Sequence, residues 1–395
     1  MVSKRMLGLG TARSVIRELF EYGNQRAAVV GRENVYDFSL GNPSVPAPPQ
    51  VNETAIRILQ EQPDLIHCYT SAQGDAAARQ RFADSLNRRM KLVHTGSPAK
   101  FYLTGGAAAS LCCVFNGLTC PEDEFIVFAP YFPEYKVFIE GAGAKMVLIP
   151  PEIEHFQIDF AAFEQALTPH TKGVVVNSPN NPSGVVYSQE TLERLADILR
   201  KKEAEYGHPI YLISDEPYRE IVFSGVKAPW IPHLYDDTIV CYSFSKSLSL
   251  PGERLGYVLV PGKVTDSKEV YAAVAGAGRS LGYVNAPSLF QQVTSLCCDL
   301  TSDLSVYEHN CKLLVSALRE MGYHVAEPGG AFYLFPRSLE SDDMAFSERA
   351  KQFDLLLVPG SGFGAPGHVR IAYCVQTDMI ERALPKFKEL ADSYR

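Results

Sequence analysis

The sequence predicts an α/β protein: a mostly parallel, seven-stranded sheet with helices on both faces, joined to a second, smaller unit. Three observations carry this expectation. Between about residues 100 and 260, seven short β-branched or aromatic runs alternate with stretches of helical spacing. Most of these runs are apolar throughout, as strands covered on both faces must be. Polar residues gather where the runs stop, which is where open α/β sheets bind their ligands.

Taken in order, the chain before residue 50 ends in Pro43, Pro46, Pro48 and Pro49, a rigid connector. The strand runs follow as Phe101 to Leu103, Phe125 to Phe128, Met146 to Ile149, Gly173 to Val176, Ile210 to Ile213, Thr238 to Tyr242 and Tyr257 to Val260. Between them, Phe160, Phe163 and Leu167 recur at helical spacing, as do Leu192, Leu195 and Leu199 behind Ser188, a candidate cap. After about residue 285 the pattern changes to a helical stretch, a short strand from Phe332 to Phe335 and a last helix opened by the capping box Asp378-x-x-Glu381. The expected division is 1–49 as an N-terminal arm and part of the smaller unit, 50–285 as the larger unit, and 286–395 as the smaller C-terminal unit.

Composition narrows the function classes. At roughly 150 residues per domain, 395 residues make two to three domains with ample core. Lys plus Arg number 37 against 45 Asp plus Glu, a net charge of −8, so nucleic acid and acidic membrane surfaces are not expected partners. Nine cysteines, without a C-x-x-C, read as reduced core thiols. No apolar h-region follows Lys4 and Arg5, and no apolar run nears the ~18 residues of a membrane span, so a cytosolic protein is expected. Gly8-Leu-Gly10 lacks the third glycine of a dinucleotide fingerprint, Gly256 to Lys263 is one residue too long for a P-loop, and no metal-spaced histidine pair is present.

What remains is a constellation at three strand ends. Lys246 stands among hydroxyls in Ser243-Phe-Ser245-Lys246, with Arg254 eight residues on; taken alone it reads as a loop lysine. Its company changes that reading. Asp215-Glu-Pro-Tyr218 ends the preceding run, and Asn177-Ser-Pro-Asn-Asn181-Pro-Ser-Gly184 ends the one before it. An amine, a carboxylate and an amide converging in this way suit pyridoxal phosphate, whose aldehyde needs a lysine, whose ring nitrogen needs an anion and whose phosphate needs hydroxyls, amides and a cation.

With these motifs in this order, over roughly residues 35 to 385, the chain resembles the class I/II aminotransferases, fold-type I pyridoxal-phosphate enzymes. The resemblance implies a large cofactor-binding domain and a smaller α+β domain drawn from both chain ends. It implies that Lys246 forms the Schiff base and shuttles the proton, that Asp215 pairs with the ring nitrogen, and that Tyr218 and Asn181 hydrogen-bond the phenolic oxygen. Gly105, Gly106 and Ala107, at the start of an alanine-rich helix, would hold the phosphate with Ser243, Ser245 and Arg254. Phe132 would stack on the ring. Arg370, in His368-Val-Arg370-Ile, would clamp the substrate α-carboxylate beside Gly41, although Gly41 also reads as a simple turn residue. Tyr69 would reach the neighbouring subunit's phosphate, making the active unit a homodimer.

The implied substrates are an L-amino acid and a 2-oxo acid, with aspartate and 2-oxoglutarate the leading pair. One bacterial aspartate subgroup has a lysine where this chain has Ala107, and Arg17 and Arg279 are the spare cations that could read a side-chain carboxylate instead. A carbon–sulfur β-lyase on the same frame is the alternative chemistry.

Overall fold

A computed structural model describes residues 2–12, 15–64, 66–91 and 100–395. All seven expected strands form: β1 Phe101–Thr104, β2 Glu124–Phe128, β3 Lys145–Ile149, β4 Thr171–Asn177, β5 Tyr211–Asp215, β6 Thr238–Ser243 and β7 Gly256–Leu259. They lie in the order β1-β7-β6-β5-β4-β2-β3, and β7 runs antiparallel to both its neighbours while the other pairings are parallel.

The alternation of strand side chains explains why these runs are apolar at every position. In β2, Phe125 and Val127 point into one core, and Ile126 and Phe128 into another. The first core is closed by helices Ala107–Leu118, Glu134–Gly141 and Ser267–Ser280; Gln189–Tyr206 covers the second. Ser188 caps Gln189–Tyr206 by accepting from the Thr191 N–H at 3.0 Å, as its sequence position suggested. A third core packs β1, β6 and β7 against helices Pro49–Glu61, Ala76–Met90 and Ser288–Leu296.

The smaller unit draws on both ends of the chain. Strand Tyr36–Asp37 pairs in parallel with Leu355–Leu356, and Tyr36, Phe38 and Val45 share a core with helices Ser305–Glu320 and Thr377–Asp392. An antiparallel ribbon of Val358–Pro359, Val369–Ala372 and Tyr333–Leu334 completes it. Because Ser288–Leu296 packs on helices of the larger unit, we propose that the boundary falls at 297–304 rather than at 285.

Two local expectations differ from the structure. The last helix begins at Thr377 behind Gln376, which caps it with no side-chain bond; Asp378 lies inside the first turn, where it pairs with Arg382 at 2.5 Å. A carboxylate there meets the positive end of the helix dipole without capping it. The proline-rich connector also ends one residue early, since Pro49 occupies the first helical turn, where its missing N–H costs nothing. All nine cysteines are free thiols, five of them buried. Among the described residues no helix is long and apolar enough to cross a membrane.

Candidate active site

A cavity of about 320 Å³ opens where β4, β5 and β6 end, and the smaller unit closes its other side. Asp215, the last residue of β5, is buried at its floor. One carboxylate oxygen accepts from the Tyr135 hydroxyl at 2.5 Å, while the other, Oδ1, is buried with no hydrogen-bond partner among the described residues. Burial pushes the Asp215 carboxyl up to about 7; the Tyr135 bond opposes this and nearby Glu216 adds to it. A buried oxygen in this state calls for a cationic partner.

Loop bonding ties this strand end to its neighbours. Asn177, at the end of β4, donates from Nδ2 to the Asp215 carbonyl at 2.9 Å and accepts the Asn181 N–H at 2.8 Å. The turn that follows is closed by Asn180, whose Oδ1 takes the Ser183 N–H and hydroxyl. Three residues past Asp215, Tyr218 is buried with its hydroxyl 3.0 Å from that of Tyr333. Burial, reinforced by Tyr333, holds the Tyr218 phenol protonated and therefore able to donate.

Lys246 sits on the single turn Phe244–Ser247 that follows β6, capped by Ser243. Its ammonium donates to the Gly41 carbonyl at 2.6 Å and lies 5.3 Å from the centre of the Phe332 ring. Burial lowers it to about 8; Cys374 opposes, and the Arg370 and Arg254 charges lower it further.

Beside Lys246, the Ser243 and Ser245 hydroxyls are 2.6 Å apart and both line the cavity with Ala107 and Arg254. Gly106 stands at the N-terminus of Ala107–Leu118 with φ +95°, a conformation side chains rarely adopt. A Cβ there would lie 2.9 Å from Arg254 Nη2, so the glycine also admits the guanidinium. Unpaired N–H groups of the first helical turn, two hydroxyls and an arginine form an anion cradle. Phe132 lines the same cavity, its ring edge-on to Tyr135.

On the facing side, Arg370 is 3% exposed on strand Val369–Ala372. It donates to the Ser39 carbonyl at 2.5 Å and to Asn181 Oδ1 at 3.2 Å, and its Nε has no hydrogen-bond partner among the described residues. The rings of Tyr333 and Phe363 flank it, each centred 4.9 Å from the guanidinium carbon.

The structure thus brings Gly41, Ala107, Phe132, Asn181, Asp215, Tyr218, Ser243, Ser245, Lys246, Arg254 and Arg370 to one cavity, with Gly105 and Gly106 beside it. Tyr69 is 94% exposed and stands apart from this lining. Arg17 and Arg279 are exposed and do not line the cavity either, although Ile16, the neighbour of Arg17, does. Sequence reasoning missed Ile16 and Tyr333. The available signal for Tyr333 is a phenol within the four-residue run Phe332 to Phe335, which the sequence gives only as a short strand.

The residues fit a pyridoxal phosphate: a lone buried carboxylate oxygen for the ring nitrogen, a buried amine for the aldehyde, and an anion cradle for the phosphate. Comparison with known proteins points the same way. A sequence model of the family "Aminotransferase class I and II" matches residues 33–387. The chain is 30% identical over 398 residues to the aspartate aminotransferase of Thermotoga maritima, covering all of both chains, and 30% identical over 379 residues to the aspartate/prephenate aminotransferase of Thermus thermophilus, covering 92% and 93%. It superimposes on the crystal structure of an amino transferase from Eubacterium rectale with a TM-score of 0.96 at 54% identity, over 100% of this chain and 99% of that one.

Proposed function

The chain belongs to the class I and II aminotransferase family and is a pyridoxal-phosphate-dependent aminotransferase, and from that premise we propose the substrates it takes and how its residues divide the work. The donor is an L-amino acid, aspartate first among them, and the acceptor a 2-oxo acid such as 2-oxoglutarate. The names of the relatives at 30% identity support aspartate.

When bound, the cofactor supplies an aldehyde and an electron-accepting ring. Lys246 binds it, and the same Nζ then takes and returns the substrate proton. With its pKa lowered to about 8, about a tenth of this amine is unprotonated at neutral pH, which a solvated lysine could not approach. Asp215 keeps the ring nitrogen charged, and Tyr218 and Asn181 fix the phenolic oxygen. Gly105, Gly106, Ala107, Ser243, Ser245 and Arg254 hold the phosphate, and Phe132 covers one ring face. Arg370, with its free Nε, holds the substrate α-carboxylate beside Gly41. The exposed Tyr69 completes the phosphate site of a second copy in a cytosolic homodimer.

One observation carries this division: the unpartnered Oδ1 of Asp215 and the buried amine of Lys246 share a single cavity. Mixing the cofactor-loaded protein with each common amino acid in turn tests it. Conversion to the pyridoxamine form with release of the 2-oxo acid, fastest with aspartate, is the expected result. Ammonia with pyruvate would identify a lyase instead.

A further inference from the structure

We propose that Tyr333 is a positioning residue: its hydroxyl donates to the Tyr218 oxygen and so leaves the Tyr218 proton free for the cofactor's phenolic oxygen. The inference rests on the functional reading above and extends it to a residue outside the motifs.

A phenol has one proton and two acceptor lone pairs. The two hydroxyls are 3.0 Å apart, and each is the other's hydrogen-bond partner among the described residues. One proton is therefore consumed between them and one is left over. If Tyr218 donated, it would have nothing left to offer the cavity.

The surroundings decide the direction. The Arg370 guanidinium carbon lies 4.9 Å from the centre of the Tyr333 ring, and a cation at that position makes Tyr333 the stronger acid and hence the donor. Arg370 acts on Tyr218 as well, but there it ranks behind Tyr333 itself, whereas at Tyr333 it is the first influence after burial. Tyr218 and the Cys374 thiol also act on Tyr333, Asp215 acts on Tyr218, and Lys246 is close by through the Gly41 carbonyl.

The backbone is shaped for this contact. The Tyr333 hydroxyl occupies the space a Cβ on Gly41 would need, so only a glycine at 41 lets it reach Tyr218. The ring of Tyr218 is held independently, edge-on to Phe332 at 5.4 Å and to Tyr333 at 5.7 Å, so removing the Tyr333 oxygen leaves its packing in place.

The test uses the cofactor-loaded wild type, Tyr333→Phe, Tyr218→Phe and the double variant, with the visible band of the lysine-bound cofactor titrated against pH. Without the supporting bond, Tyr218 is a weaker donor, the phenolic oxygen is less stabilised as an anion, and the neighbouring proton is held more tightly. In Tyr333→Phe the midpoint should rise by about half to one pH unit, with KM for the amino donor within about twofold. In the Tyr218→Phe background the same substitution should add no shift. An unchanged midpoint, or an equal shift in both backgrounds, overturns the inference, as does a lowered Tm with a normal midpoint. A wild-type chain that binds no cofactor overturns the functional reading, and this inference with it.

Discussion

The two sides of the cavity are built differently. On the larger unit, Asp215, Ser243 and Lys246 stand at or just past the ends of adjacent strands, each placed there by its own short segment, with Tyr135 and the Gly41 carbonyl as the distant partners of Asp215 and Lys246. On the smaller unit, Arg370 is oriented by partners 331 and 189 positions away, Ser39 and Asn181, and by the flanking rings of Tyr333 and Phe363. One side is assembled by local turns at the edge of a preformed sheet. The other exists only once both ends of the chain have met.

This contrast is open to experiment. The largest effect is expected on the strand-end side: Lys246→Ala should abolish the visible cofactor band and lower kcat by at least about a thousandfold while leaving a folded protein. A normal band in the variant would remove Lys246 from its role. Across the cavity, Arg370→Ala should raise KM for every α-amino acid, by an amount equivalent to about 2 to 5 kcal/mol. Wild-type KM values would show that the carboxylate is held elsewhere.

The smallest effect joins the two sides. Cofactor capture needs the free amine of Lys246, so its rate should rise about tenfold per pH unit and level off above about pH 8. Burial lowers this pKa first, but the Arg370 charge also contributes, so the midpoint should move upward in Arg370→Ala. Capture rates measured by stopped-flow against pH would show it; an identical midpoint would mean that the two sides act independently.

The same contrast explains what could be read in advance. The seven strands were legible because both faces of the sheet are buried and the apolar runs are continuous. The strand-end motifs were legible because a turn, a cap and a functional side chain lie within a few residues of one another, as in Ser243 to Lys246. Arg370 and Gly41 were reached through resemblance, not through spacing. Tyr333 and Ile16 escaped because nothing beside them in the chain marks their function. Tyr333 lies in one core cluster with Phe332 and Leu334 on either side of it, and Tyr218 and Arg370 reach it from distant parts of the chain. The proposed reassignment of Ser288–Leu296 to the larger unit has a related reason, since the apolar face of a helix does not name the surface it will cover.

The missing side chain at position 41 matters for anyone redesigning this enzyme. Even a methyl group there would collide with the Tyr333 hydroxyl. A library that randomises 41 alone would therefore score it as intolerant, and paired replacement with 333 would show which combinations of shape the pocket accepts.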